Sequence, residues 1–121
     1  MTAHRATVLF AHGSRDPLWS RPIEAVAARM RSRDAAAQVR CAYLELTTPD
    51  LPTVVAEVVA KGATDIVVVP MFLGVGRHAR QDLPALVDTL AAQYPDRRIE
   101  LRPAVGEDPR VIDLLAGVAL D

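Results

Sequence analysis

The chain has 121 residues, half of them hydrophobic, which is enough for one domain with a buried core and too few for two. We therefore predict a single domain over residues 1–121. A formal net charge of -1 and a pI of about 6.3 give no general electrostatic affinity for nucleic acid or for membrane surfaces.

The cysteine count and the hydrophobic runs indicate the cellular compartment. The one cysteine, Cys41, excludes an intramolecular disulfide and fits a reducing environment. No apolar run reaches the ~20 residues of a membrane-spanning helix, and no signal peptide is visible at the start. We therefore expect a cytoplasmic protein with no membrane partner and no nucleic-acid partner.

Strand-like and helix-like patterns alternate through the first half of the chain. Residues 6–11 form an apolar run that predicts a strand, and the helical pattern after it ends near Ser32. A second strand is predicted over residues 38–45. It is followed by a helix whose apolar residues recur at helical spacing from Leu51 onward, with Gly62 as its C-cap.

The second half of the chain continues the same alternation. Residues 64–73 are an apolar, largely β-branched run, as expected for a central strand of a parallel sheet. A glycine-rich loop follows, and Asp82 and Pro84 predict the start of the third helix. A short strand is predicted over residues 98–105. A last helix starts at residues 108–109, and its predicted core-facing residues are Ile112, Leu115, Ala116 and Ala119.

Strict β–α alternation predicts an α/β fold with a parallel sheet and right-handed crossovers. Four strands cannot close an eight-stranded barrel, so the sheet is expected to be open. The prediction is a flavodoxin-like, four-stranded parallel sheet in the order 2-1-3-4 with flanking helices. In such sheets ligands bind beyond the carboxyl ends of the strands, at the switch point between strands one and three.

Three polar residues follow three strands that this order makes neighbours. His12 ends strand one, Glu45 ends strand two, and His78 comes just after strand three. Neighbouring strands lie ~4.8 Å apart, so these side chains should converge on one rim of the sheet. Two imidazoles and a carboxylate suit a divalent Fe, Co, Ni or Zn ion and leave coordination positions open for chemistry. We therefore predict that these three residues handle a metal and are catalytic.

Other interpretations of these residues stay open at this point. A histidine after a strand is often a cap or a hydrogen-bonded loop residue, and a strand-end glutamate is usually solvated. Ser14 lacks the context of a nucleophilic serine and is better placed to hydrogen-bond within its loop. Gly74-x-Gly76-x-x-Ala79 matches a loose dinucleotide fingerprint, but it follows the third strand rather than the first. A nucleotide-binding or regulatory module is the alternative that this motif suggests.

Three motifs together carry a family resemblance. They are HGSR at residues 12–15, YLELTTPDL at residues 43–51 and VPMFLGVGRH at residues 69–78. With these motifs the chain resembles, over essentially its whole length, the small class II tetrapyrrole chelatases. These are the short sirohydrochlorin cobaltochelatases, related to ferrochelatases and nickel chelatases acting on the same ring. The resemblance implies metal-handling roles for His12 and His78 and an active-site role for Glu45.

The resemblance also implies a reaction. A divalent metal ion, with Co²⁺ favoured, is exchanged for two pyrrole N–H protons of sirohydrochlorin. Neutral imidazoles can hold the metal weakly and accept protons, and Glu45 can assist as a ligand or proton acceptor. The metal is then a substrate, and no permanently bound cofactor is expected. Insertion of Fe²⁺ or Ni²⁺ into the same ring, or a carrier that binds metal or tetrapyrrole without turnover, are the alternatives.

Sirohydrochlorin carries eight carboxylates around an apolar disc, which suggests how the loops bind it. Arginines in the site loops can pair with the carboxylates, and apolar side chains can form a wall for the disc. The residues predicted to bind the ring are Ser14, Arg15, Leu46, Phe72, Leu73, Gly74, Val75, Gly76, Arg77 and Arg80. The short relatives are homodimers, and relatives of about twice this length resemble two fused units. We therefore expect a homodimer with a shared cavity.

Overall fold

The strands lie side by side in one four-stranded parallel sheet. A computed structural model describes residues 4–121 of the chain. The strands follow the order β2-β1-β3-β4, as the sequence predicted. The strands are β1 Arg5–Ala11, β2 Gln38–Tyr43, β3 Asp65–Pro70 and β4 Arg98–Leu101. The helices are α1 Arg21–Arg33, α2 Leu51–Ala60, α3 Arg77–Gln93 and α4 Pro109–Leu120, with a short 3-10 turn at Val105–Glu107.

The sheet has a thickly covered face and a thinly covered one. On the first face, alternate residues of the central strands pack against α2 and α3, because side chains along a strand point to opposite faces. Fully buried members of this core include Val8, Phe10, Ile66, Val68, Leu51, Val54, Val55 and Val58. On the second face, α1 covers a smaller cluster built on Leu9, Ala27 and Val39.

Local sequence signals set the ends of α2. The Asp50 side chain accepts a hydrogen bond from the Thr53 N–H at 3.0 Å and so caps the helix. Hydrogen bonding from the Thr53 side chain, and then from its N–H, favours the ionised carboxylate and lowers the pKa of Asp50. At the other end, Gly62 adopts a φ of +93°, a conformation that glycine takes without steric cost. The C-cap itself is Lys61, so the predicted C-cap at Gly62 is one residue too late, and the glycine takes the left-handed position directly after the cap.

The third helix starts earlier than the sequence predicted. It begins at Arg77, with Gly76 as its N-cap, and runs through Pro84. The prediction that it starts near Asp82 and Pro84 is wrong, because it used the preference of proline for the first helical turn. Pro84 instead lies inside the helix, where it cannot donate a hydrogen bond to the carbonyl four residues earlier. The predicted glycine loop is correspondingly short, and His78 lies on a helix.

The strands end sooner than their apolar runs. The predictions placed the ends at residues 45, 73 and 105, whereas β2 ends at Tyr43, β3 at Pro70 and β4 at Leu101. Single backbone hydrogen bonds extend the pairing one residue further, as from the Leu44 N–H to the Ala11 carbonyl at 2.9 Å. The apolar runs continue beyond the strand ends. The residues there lie at the carboxyl edge of the sheet and are no longer paired with a neighbouring strand.

The last helix does not pack as predicted. All four of its predicted core-facing residues are exposed, with Ile112 at 52% and Leu115 at 42%. An amphipathic pattern shows that a helix needs an apolar partner, but it does not show that the same chain supplies one. Within residues 4–121, no helix has both the length and the apolar character needed to cross a bilayer.

Candidate active site

The carboxyl ends of the strands bring the predicted catalytic residues to one rim. His12 follows β1 directly, Glu45 lies two residues past β2, and His78 is the second residue of α3. Because β1 lies between β2 and β3, His12 occupies the middle of this rim. The three residues therefore share this rim, as the strand order predicted, although all three lie outside the strands.

His12 and Glu45 form a direct pair. Nε2 of His12 lies 3.0 Å from Oε1 of Glu45, and both side chains are more than half exposed. An ionised carboxylate can only accept, so the hydrogen of this bond belongs to Nε2 when His12 is neutral. The Phe72 ring meets the His12 ring edge-on, with centroids 6.4 Å apart. The imidazole is thus held by a carboxylate and an aromatic ring.

His12 and His78 line the same cavity of about 280 Å³. Five other predicted site residues also line it, namely Phe72, Gly74, Val75, Gly76 and Arg77. Leu44, Ala79, Asp82 and Leu83 complete the lining and were not predicted. Ala79, Asp82 and Leu83 follow His78 along α3. They were missed because the helix was predicted to start near Asp82, whereas it begins at Arg77.

The remaining predicted residues lie beside this cavity rather than in it. Glu45 and Leu46 line a neighbouring hollow of about 510 Å³, and Leu44 lines both. Ser14, Arg15, Leu73 and Arg80 line neither. Leu46 is 56% exposed and Leu73 is 70% exposed, so apolar side chains project around the rim.

The structure does not bring the three predicted metal ligands together as one cluster. Across residues 4–121, no group of three or more His, Cys, Asp or Glu side chains is arranged to hold a metal ion. His12 and Glu45 make their pair, and His78 lies elsewhere on the wall of the same cavity. Joint ligation of a metal by all three residues therefore stays a prediction.

Three exposed arginines surround the site. In the described part of the chain, Arg15, Arg77 and Arg80 take part in no ion pair. Arg77 and Arg80 lie in the first turn of α3, where a positive charge opposes the helix dipole and costs about 0.3–1 kcal/mol. Helix stability does not explain these charges, whereas an anionic ligand would.

The close approach of Gly106 to the loop after β3 escaped the sequence predictions. Gly106 donates a hydrogen bond from its N–H to the Phe72 carbonyl at 2.9 Å. A Cβ at Gly106 would lie 1.9 Å from the Leu73 carbonyl oxygen, so only glycine allows this approach. An isolated glycine after the last strand was the available signal.

The predicted hydrogen bond of Ser14 within its loop is confirmed, since its hydroxyl accepts from the Asp16 N–H at 3.1 Å.

A larger hollow lies at the opposite end of the sheet. It measures about 700 Å³ and is bordered by His4, Arg5, Arg33, Gln38 and Lys61, near the amino ends of the strands. Parallel α/β sheets bind ligands at the carboxyl ends. The smaller cavity with two histidines therefore remains the better candidate despite its size.

Known proteins resemble this chain over nearly its whole length. The CbiX family model matches residues 6–119. A sirohydrochlorin cobaltochelatase from Methanococcus aeolicus is 31% identical over 88 residues, which are 73% of this chain and 62% of that relative. A sirohydrochlorin ferrochelatase from Bacillus subtilis is 30% identical over 108 residues, which are 89% of this chain but 41% of that relative.

Two solved structures share the fold. A CbiX protein from Marinobacter aquaeolei VT8 superposes with a TM-score of 0.83 at 34% identity, covering 95% of this chain and 93% of that one. The sirohydrochlorin chelatase SirB from Bacillus subtilis subspecies spizizenii, solved in complex with cobalt, gives a TM-score of 0.80 at 29% identity. That match covers 97% of this chain and 50% of SirB.

Proposed function

This chain belongs to the CbiX family, and we propose that it inserts a divalent metal ion, with Co²⁺ favoured, into sirohydrochlorin. The cobaltochelatase and ferrochelatase relatives support the reaction, and the cobalt complex of SirB supports the metal. The observation that carries the proposal is the contact between His12 and Glu45 beside a cavity that His78 also lines.

Metal insertion requires a base near the ring nitrogens. Each metallation replaces two pyrrole N–H bonds by bonds from nitrogen to the metal and releases two protons, which an exposed base at the site can accept one at a time and pass to solvent. When the His12 imidazole takes a proton it becomes a cation, and the Glu45 carboxylate 3.0 Å away stabilises that charge. His78, which lines the same cavity, is the residue we assign to holding the incoming metal, and His12 can share that role only while its imidazole is neutral.

The rim suits the rest of the substrate. The arginines at positions 15, 77 and 80 are exposed and unpaired within residues 4–121, which leaves them available to the ring carboxylates. Leu46 and Leu73 project apolar surface beside them and can contact the face of the disc. Positive charge around an apolar rim is the complement of an apolar ring with a carboxylate edge.

We further propose that the chain acts as a homodimer. A cavity of about 280 Å³ is at or below the lower end of the ~300–1,000 Å³ typical of ligand sites, so one subunit encloses too little space for the ring. Exposed α4 offers an apolar surface for a second copy through Ile112, Leu114, Leu115, Val118 and Leu120. The chain also spans half of SirB, as expected if two copies replace two fused units.

Light scattering at micromolar concentration tests the dimer. The wild type should have twice the mass of one 13.1 kDa chain. Leu115→Asp should shift it toward the monomer, because a charge on α4 cannot be buried against a partner. Asp113→Asn, on the same helix, is the control and should leave the mass unchanged. A fully active monomer would contradict a shared cavity.

We further propose a cytoplasmic location and no resident cofactor for this protein. We place the protein in the cytoplasm, a proposal supported by the single cysteine, which is unpaired and half-buried on β2. Burial raises the pKa of the Cys41 thiol, so it stays protonated and poorly reactive. The divalent metal is a substrate, and the reaction as proposed uses no permanently bound cofactor.

Absorbance spectroscopy separates this function from its alternatives. Purified protein is mixed with sirohydrochlorin and, in turn, with Co²⁺, Fe²⁺ or Ni²⁺. A chelatase converts the free-base spectrum to the metallated one faster than the protein-free control, and the fastest metal identifies the preference. A carrier binds the ring or the metal without accelerating conversion. A nucleotide-binding module would bind neither.

A further inference from the structure

The loops after β1 and β2 are joined beyond the ends of the strands. The Leu44 N–H donates to the Ala11 carbonyl at 2.9 Å, and the Glu45 N–H donates to the His12 carbonyl at 3.0 Å. The first bond continues the parallel ladder by one residue, and the second joins the two loops beyond it. The second bond fixes the backbone of Glu45 beside the backbone of His12. The side chains of these two residues form the proposed proton-accepting pair.

The side chain of Thr47 makes a second connection between the loops after β1 and β2. The Thr47 hydroxyl accepts a hydrogen bond from the Ser14 N–H at 2.9 Å and donates one to the Ser14 carbonyl at 2.7 Å. Thr47 is half-buried, which protects both bonds from competition with water. A single hydroxyl thus satisfies both backbone groups of Ser14, two residues after His12.

The turn between these anchor points is strained. Leu46 has a φ of +64°, and the Thr47 N–H donates back to the Glu45 carbonyl at 2.7 Å. A leucine rarely adopts this conformation, and such strained backbone persists only where its surroundings enforce it. Gly13 packs directly against the turn, because a Cβ at that position would lie 1.7 Å from the Glu45 carbonyl oxygen.

From this geometry we infer that Thr47 is a positioning residue that holds the Glu45 carboxylate against His12. The inference rests on the proposed chelatase function. Glu45 is anchored to the His12 carbonyl through its own N–H, and the turn that carries it is anchored to Ser14 through Thr47. Without the hydroxyl, the strained turn can relax and carry the carboxylate away from the imidazole. Proton acceptance then weakens while the ring-binding surfaces stay in place.

Isosteric variants test the role of the hydroxyl. Thr47→Val keeps the shape of the side chain but removes both hydrogen bonds, and Thr47→Ser keeps the hydroxyl. Thr48→Val is the matched control, because the neighbouring Thr48 side chain is exposed and makes no hydrogen bond within residues 4–121. Thermal unfolding is followed for each variant, and rates are expressed per folded molecule.

The split between kcat and KM distinguishes positioning from general damage. We expect Thr47→Val to lower kcat about tenfold or more, with KM for sirohydrochlorin unchanged, because small displacements of catalytic groups have large effects on rate. Thr47→Ser should restore most of the rate, and Thr48→Val should match the wild type. Wild-type kcat in Thr47→Val overturns the inference. Equal losses in the Ser and Val variants also overturn it, since the hydroxyl would then not matter.

Amide hydrogen exchange gives a readout that needs no turnover. The Ser14 and Glu45 amides should exchange faster in Thr47→Val than in the wild type, while amides of β3 keep their protection. Unchanged exchange at both amides overturns the positioning role even if kcat falls. A wild type that inserts no metal overturns the proposed function instead, and faster exchange would then still show that Thr47 holds the two loops together.

Discussion

The rim of the sheet has two halves that are built differently. The locked half consists of the loops after β1 and β2, residues 12–15 and 44–49, and backbone hydrogen bonds join these loops to each other. The open half is the segment between β3 and α3 together with the first turn of α3, residues 71–80. In the locked half, Gly13 has a φ of +101° and no room for a Cβ. In the open half, Gly74 and Gly76 have nothing within 4 Å of a Cβ position.

This difference indicates a division of labour. The locked half holds His12 and Glu45 at hydrogen-bonding distance before any ligand is present, so the proton acceptor is already positioned. The open half carries His78 and two arginines, all exposed, on a helix start beside which Gly74 and Gly76 leave free space. A bulky ring can approach from that side without disturbing the reacting pair. The locked half thus holds the proton-accepting pair in place, and the open half leaves room for the ring.

Adding one methyl group to each half should give opposite results. Gly13→Ala introduces a clash with the Glu45 carbonyl and a backbone conformation that costs about 1–3 kcal/mol in non-glycine residues. We expect loss of nearly all turnover and a clear fall in Tm. The control is Gly74→Ala, where φ lies outside the left-handed region and nothing lies within 4 Å of the added Cβ, so stability should change by less than about 0.5 kcal/mol. Equal effects of the two substitutions in thermal melts would remove the contrast between the halves.

Both halves should nevertheless be needed for chemistry. His12→Ala and His78→Ala are each expected to lower kcat by about 10²–10⁴-fold, the usual contribution of a positioned acid–base group. The exposed positions predict little loss of Tm. His4→Ala, at the far end of the sheet, is the matched control and should keep full turnover. Wild-type rates in either site variant would remove that histidine from the mechanism.

The sequence predicted the locked half better than the open half. His12 and Glu45 follow strands with clear apolar patterns, and strand order alone brings them together. The start of α3 was misplaced because Pro84 is a strong local signal for a first turn, and tertiary context overrode it. The bonds from Thr47 and the contact between Gly13 and Glu45 join residues more than thirty positions apart, which no local pattern reveals.

The arginines of the open half should affect binding more than rate. Arg77→Ala and Arg80→Ala are expected to raise KM for sirohydrochlorin several-fold, and the effect should shrink as salt screens the charges. Tm should stay level or rise slightly, because each change removes a positive charge from the helix N-terminus. Arg29→Ala, at an exposed position on α1, is the control. A KM that is independent of both residues and of salt would mean that the ring carboxylates bind elsewhere.

Stiffening the open half should have the smallest effect. Pro84→Ala restores an N–H that can donate to the Arg80 carbonyl and removes the steric conflict of proline inside α3. The amides of residues 77–83 should become more protected from hydrogen exchange, and Tm should rise. Turnover should fall modestly if the ring needs a loose helix start to bind and leave. Unchanged protection of these amides would show that Pro84 does not loosen the open half.

Proton release during metal insertion tests the central claim most directly. Sirohydrochlorin, Co²⁺ and the protein are mixed in weak buffer with a pH indicator, and proton release is recorded beside the absorbance change of the ring. The account predicts two protons per metallated ring in the wild type, released at the rate of insertion. It also predicts that Glu45→Gln slows both signals together, because the carboxylate supports His12 as proton acceptor. Insertion and proton release at wild-type rates in folded Glu45→Gln protein would contradict the role of this pair.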